Sequence, residues 1–210
     1  MLDIQFRPAT PEDVSEAVPL IHSSGPAAFN YVFCCRSNDE ARHFLREAFS
    51  LRSSEWSYIN HCVVEYQGRC IGIGAVKEAG QNRRFMFAAL RRIFAFYGLA
   101  RAPGVILRGL RTERVIAPPV PGVGLIYDVA IAPEYRGRGI GRLLVEHLLK
   151  KVTSSGYGVA ALDVADTNHG ARELYESIGF RVSRSRKGGP RSAYGELVSH
   201  HYMEISLGNE

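Results

Sequence analysis

The chain has 210 residues, 46% hydrophobic and 22% charged, with a formal net charge of +5. That length buries a sizeable core without disulfides, and that balance excludes an intrinsically disordered chain. Cys34, Cys35, Cys62 and Cys70 form no CxxC pair and have no histidines nearby at zinc-ligand spacing, so reduced, mostly buried thiols and no metal centre are expected.

The first residues carry Asp3, Arg7 and Pro8 instead of a basic run followed by an apolar stretch. No signal peptide is therefore expected, and the cytoplasm is the expected compartment. Ile4-Gln5-Phe6-Arg7 alternates like a short strand, and Thr10-Pro11-Glu12-Asp13 supplies a cap, a proline and acidic residues for a helix start. Ala41, Phe44, Leu45 and Ala48 give residues 38–49 a helical period, and the aromatic segment 29–33 lies between these two helices.

Residues 56–66 and 70–76 are rich in β-branched and aromatic side chains, and Gln67-Gly68-Arg69 between them predicts a hairpin turn. A segment at about 80–122 then interrupts the strand rhythm. It predicts a helix at 83–97, followed by the breakers Pro103, Pro118, Pro119 and Pro121. It also concentrates Arg83, Arg84, Arg91, Arg92, Arg101, Arg108, Arg111 and Arg114 against Glu113 alone. Strand and helix alternate afterwards: strand 125–132, helix 139–154, strand 159–164, helix 169–178. Strand candidates at 180–183 and 202–206 follow, separated by a loop carrying Arg184, Arg186, Lys187 and Arg191. The expectation is an α/β (α+β) fold with a mixed, partly parallel sheet, a single domain over 1–210 interrupted between its third and fourth strands.

The chemistry concentrates in residues 124–182. The strand Tyr127-Asp128-Val129-Ala130-Ile131-Ala132 ends at Pro133 and enters Arg136-Gly137-Arg138-Gly139-Ile140-Gly141, after which a helical pattern begins. Glycines let a backbone approach a ligand closely, and the unpaired amides of a helix N terminus suit a phosphate group. The loop lacks the Gly-Lys-Ser/Thr ending of a nucleoside-triphosphate loop, and no strand carries the acidic residue of a dinucleotide fold.

The run from Val129 to Gly141 resembles the acetyl-CoA signature of the Gcn5-related N-acetyltransferase superfamily, Gln/Arg-x-x-Gly-x-Gly/Ala, with Arg136, Gly139 and Gly141 in register. Asn168 and the run from Ala171 to Phe180 resemble that family's second cofactor-side helix. The resemblance is sharp over the second half of the chain, whereas the first half matches in element order alone.

The resemblance implies an acyl-CoA N-acyltransferase fold and an acetyl-CoA-dependent N-acetyltransferase acting on a primary amine. It implies that the amides of Gly137, Arg138, Gly139, Ile140 and Gly141, after Arg136, hold the diphosphate. The backbone of Val129, Ala130 and Ile131 would pair with the pantetheine arm, assisted by Asn168. Tyr175 matches the tyrosine near the coenzyme A sulfur and is the candidate general acid, a phenol of ordinary pKa about 10. Asp128 is the candidate general base, with His61 and His169 as weaker candidates.

The acceptor is left open as a small molecule or a protein amine, and a nucleic acid is disfavoured without being excluded. A non-catalytic acyl-CoA-binding regulatory module and an RNA- or ribosome-associated acetyltransferase are the rival readings. The 83–97 helix is too short and too basic to span a bilayer, so no transmembrane segment is expected. Its apolar surface, with Phe87, Leu90, Phe94 and Tyr97, leaves packing, a substrate lid, a homodimer contact or interfacial association open. Both it and segment 29–33 are expected near the acceptor.

Overall fold

The computed structural model describes residues 2–77, 80 and 82–208, with the side chains of residues 82–84 outside the description. One seven-stranded sheet organises the chain. Its strands are β1 (Gln5–Pro8), β2 (His61–Tyr66), β3 (Arg69–Lys77), β4 (Val123–Ile131), β5 (Val159–Ala165), β6 (Arg181–Arg186) and β7 (His200–Ser206), in the order β1-β2-β3-β4-β5-β7-β6. Only β4 and β5 run parallel. The strand expected at 56–66 begins at His61, because Ser57 accepts from the Ile59 amide and tightens residues 58–60 into a 3₁₀ turn. The hairpin turn is as expected: Gln67 (φ 51°) and Gly68 (φ 74°) both lie in the left-handed region, as a two-residue turn between twisted strands needs. Arg184 and Arg186, expected in a loop, belong to edge strand β6.

Two helices, α5 (Ile140–Ser154) and α6 (His169–Ile178), cover one face. Leu144, Val145, Leu148 and Val152 of α5 pack there with Ile126, Leu162, Val164, Phe180 and Met203. Contact is close enough to dictate glycines: a Cβ on Gly124 would sit 2.6 Å from Val152 Cγ1, and one on Gly74 2.8 Å from Leu148 Cδ1. The opposite face carries α1 (Val14–Ser24), α2 (Pro26–Phe33) and α3 (Glu40–Ser50), with Ile21, Leu45 and Phe49 against Val63, Ile73 and Ala130. The aromatic segment 29–33 is thus the body of a helix, started by Pro26 after Gly25.

The segment between β3 and β4 folds as α4 (Asn82–Thr112), two helical halves joined across a break at Gly98; the first half is the helix expected at 83–97, and the second was not expected. Its backbone leaves helical geometry at Gly98 (φ 69°, ψ 173°), a conformation only glycine adopts cheaply, and Pro103 sits near the start of the second half, where its missing amide costs least. By length and composition Phe85–Thr112 would suffice to cross a bilayer, with mean hydropathy 1.2. Yet Ile93, Tyr97, Ala102 and Val105 are seated in a core with Tyr31, Phe33 and Phe44. The last carbonyls of α2 have no helical partners, and α4 supplies them: Tyr97 Oη donates to Phe33 O at 2.5 Å and Arg108 Nε to Val32 O at 3.0 Å.

Candidate active site

β4 is irregular at its centre. Ile73 faces Ala130 and Ala75 faces Tyr127, so Gly74 alone opposes both Asp128 and Val129. This β-bulge puts Asp128 at φ 55°, a left-handed conformation that Asp tolerates better than most side chains. The bulge turns the carboxylate toward β2 and α1. Asp128 Oδ2 lies 3.2 Å from His61 Nε2, and Oδ1 lies 3.4 Å from Ser24 Oγ at the end of α1. His61 Nδ1 lies 2.8 Å from the Ser57 carbonyl and must carry a proton to bond it.

A proton inventory follows from those contacts. With Nδ1–H committed to Ser57, a hydrogen bond between Nε2 and Asp128 requires one further proton, held on either partner. Both side chains are buried, His61 wholly and Asp128 to 8% exposure. Burial drives the Asp128 carboxyl above its ordinary range, while the hydrogen bond and charge of His61 pull the other way. The geometry thus lets Asp128 and His61 share a single proton between them.

Ahead of the bulge, β4 and β5 separate. Their pairing stops at Leu125 with Ala161, so Val129 and Ile131 make no ladder bonds toward β5, leaving a slot open to an extended chain. At the end of the slot a short turn leads through Gly137 (φ 72°) and Gly139 (φ 79°) into α5. No side chain caps that helix, and no atom lies within 4 Å of where a Cβ on either glycine would be. Uncapped amides beside open space make a cradle for an anion. Arg136 braces the turn, donating from Nε to Ile131 O at 2.8 Å.

A cavity of about 370 Å³ meets the slot from the other face of the sheet. Phe29, Val32 and Phe33 of α2, Trp56, and Phe85, Leu90 and Ile93 of α4 form apolar walls. Asp128, Val129 and Tyr175 line it too, beside Glu55 and Lys77, an ion pair at 2.8 Å. Tyr175 comes from α6, its ring edge-on to Phe180 at 6.0 Å. Burial pushes its phenol up to about 12, so it keeps its proton throughout the neutral range and has one to donate.

Residues 27–180 match the family description Acetyltransferase (GNAT) family. The chain belongs to that family. Among curated relatives of this GNAT chain, the [ribosomal protein bS18]-alanine N-acetyltransferase of Salmonella typhimurium is 36% identical over 62 residues, 30% of this chain and 42% of the relative. The aligned stretch thus spans less than half of that relative. Among solved structures, an N-acetyltransferase from Staphylococcus aureus Mu50 superposes with TM-score 0.69 at 18% identity, covering 96% of this chain and 100% of the other. yncA of Salmonella typhimurium, solved with its cofactor acetyl-CoA, gives TM-score 0.56 at 16% identity, over 99% and 96%. At such identities the likeness is one of fold.

Of the residues singled out in the GNAT signature, Val129, Ala130 and Ile131 lie on the strand past the bulge, and Arg136 to Gly141 form the turn into α5. Ala130 is buried against the α1 and α3 face, which leaves its backbone as its only route to a ligand. Asn168 caps α6, accepting from the Ala171 amide at 3.2 Å. His169 is exposed at the start of α6, away from the cavity. His61 was ranked below Asp128, yet the fold joins the two. They stand 67 positions apart, and no local spacing announces the pair.

Proposed function

We propose that this protein is an acetyl-CoA-dependent N-acetyltransferase, one acetyltransferase domain over its whole length, acting on a small amine with an apolar body. The observation that carries the reading is a single cavity bordered by the Asp128–His61 pair and the Tyr175 phenol, opening on the slot where β4 and β5 part. The uncapped turn at Gly137 and Gly139 fits a diphosphate, and the slot fits an extended arm. Acetyl-CoA, when bound, supplies a thioester whose acyl carbon the amine nitrogen attacks, forming the C–N bond as the C–S bond breaks.

The residues divide the proton work. An amine enters as an ammonium, and Asp128 with the His61 ring takes its proton, directly or through one water. Tyr175 donates its phenolic proton to the departing sulfur, and the second proton that the nitrogen sheds as the amide forms returns to the phenolate, directly or through water. Backbone amides near the bulge, already fixed in the strand, are the donors available to a developing oxyanion. Phe29, Phe33, Trp56 and Leu90 exclude water around the amine, which strengthens each of these interactions.

The α4 roof favours a small amine over a polypeptide, although the relative named above acts on a ribosomal protein. Calorimetric titration with acetyl-CoA, followed by a screen of arylalkyl and alkyl amines, tests the proposal. Binding with turnover is expected, and Tyr175→Phe should lower kcat about 10- to 100-fold at unchanged acetyl-CoA affinity. Binding without turnover of any amine would leave the regulatory-module reading standing. A well-folded protein that binds no acyl-CoA would remove the transferase reading altogether.

A further inference from the structure

The helix that roofs the cavity also presents an apolar and basic surface to the outside. Phe87 is 64% exposed and Leu99, at the break after Gly98, is 82% exposed, the largest exposure among the large apolar side chains described. Phe94, Leu107 and Leu110 are exposed as well. Phe87, Arg91 and Phe94 recur at spacings of four and three along the first half of α4. Leu99, Pro103, Leu107 and Arg111 recur at spacings of four along the second, and Arg114 lies just past its end at Thr112. Residues so spaced share one side of a helix, so each half carries an outward apolar stripe, with arginine between Phe87 and Phe94 in the first and at the end of the second.

The arginines of this segment divide into two sets. Arg92 pairs with Glu47, Arg101 with Glu40, and Arg108 with the Val32 carbonyl and Cys35, each arginine half-buried against the protein. Arg91, Arg111 and Arg114 are exposed and have no partner among the described residues. The unpaired cations are therefore the ones that lie beside the uncovered Phe and Leu side chains.

We propose that the outer face of α4 seats on an anionic lipid surface, with Phe87, Leu99 and Leu107 entering the headgroup boundary and Arg91, Arg111 and Arg114 meeting lipid phosphates. Helices that lie in a membrane interface combine apolar side chains with Lys and Arg in this way. A second copy of the chain complements the surface poorly, since a two-fold contact brings arginine stripe against arginine stripe. A nucleic acid would satisfy the arginines and leave Leu99 and Leu107 without an apolar partner. Spanning is ruled out by the inner face, because Ile93, Tyr97, Ala102 and Val105 would have to leave the protein core. The helix lies on the membrane and stays folded against α2.

The test is vesicle flotation of the full chain, with vesicles of phosphatidylcholine alone and of phosphatidylcholine mixed with an equal part of phosphatidylglycerol. Flotation with the anionic vesicles at low salt, release by raised salt and little binding to phosphatidylcholine alone are expected. Replacing Arg91, Arg111 and Arg114 by Gln should weaken binding about five-fold per residue and about a hundred-fold together. F87E with L99E, both outside the cavity lining, should abolish flotation while melting temperature and acetyl-CoA binding stay unchanged.

Three results would overturn the proposal. One is no flotation with anionic vesicles. Another is a dimer in sedimentation equilibrium that F87E with L99E dissociates, with no lipid binding. The third is binding of polyuridylate that competes with the vesicles and survives F87E with L99E, which would assign the arginines to nucleic acid.

Discussion

The donor side of the site and the acceptor side are built on different principles. The donor side, from the β4 slot to α6, comes from one run of sequence, and its parts follow one another as strand, glycine turn, helix, strand and helix. The acceptor side draws on α1, α2, residues 55–77, α4 and the bulge in β4, brought together by packing across the sheet. A site for a fixed ligand can be local and backbone-made, while a site for a variable ligand is made of side chains from distant elements. The Asp128–His61 pair stands at the junction of the two.

Variants at the junction should have the largest effect. Asp128→Asn is expected to lower kcat/KM about a thousand-fold while acetyl-CoA affinity holds, and His61→Gln to follow closely. The pair works only when it has released its shared proton, so kcat/KM of the wild type should climb as pH rises through the raised Asp128 range and then level off. In Asp128→Asn that limb should disappear. A variant that keeps wild-type turnover with the limb intact would assign the base elsewhere.

Two further variants separate the sides. Gly139→Asp introduces a carboxylate beside the uncapped start of α5, in a left-handed conformation that Asp tolerates, and should weaken acetyl-CoA binding about a hundred-fold by calorimetry. Ala89→Trp fills the apolar cavity from the α4 side and should raise the amine KM about ten-fold without changing acetyl-CoA affinity. If Ala89→Trp also weakened acetyl-CoA binding to the same degree, the two sides would be one space.

The smallest effect concerns stability. Asp163 on β5 is held up to about 7 by burial, against the pull of Arg186 at 3.6 Å and of the Ala117 backbone amide. The folded state then holds a proton that the unfolded chain releases near pH 4. Asp163 therefore makes stability decline as pH rises from about 4 to about 7, by roughly 1–3 kcal/mol, with no further change above. Thermal melts of Asp163→Asn against wild type should show the difference between them changing across that window alone. A constant difference would mean that Asp163 ionises normally in the folded protein.

The helix bounds at 169–178 and the hairpin turn were legible because they rest on local chemistry: the Asn168 cap, the left-handed Gly179 and the Gln67-Gly68 pair. The second half of α4 was not legible. Pro103 and Gly98 weaken a helix locally, yet Tyr97 and Arg108 anchor both halves to the carbonyl end of α2, and that tertiary gain outweighs the local cost.

Residues 124–182 by themselves determined the family, the glycine turn proposed to hold the donor, the strand that flanks the slot and the candidacy of Tyr175, because backbone conformation and glycine placement are read over a few neighbours. Tertiary structure alone decided that Asp128 meets His61, that α2 and α4 wall one cavity, and that Arg91, Arg111 and Arg114 stay without a partner among the described residues. Those facts depend on which distant surfaces the sheet brings face to face. Burial and pairing, which set proton affinity and cavity shape, exist only once that packing has formed.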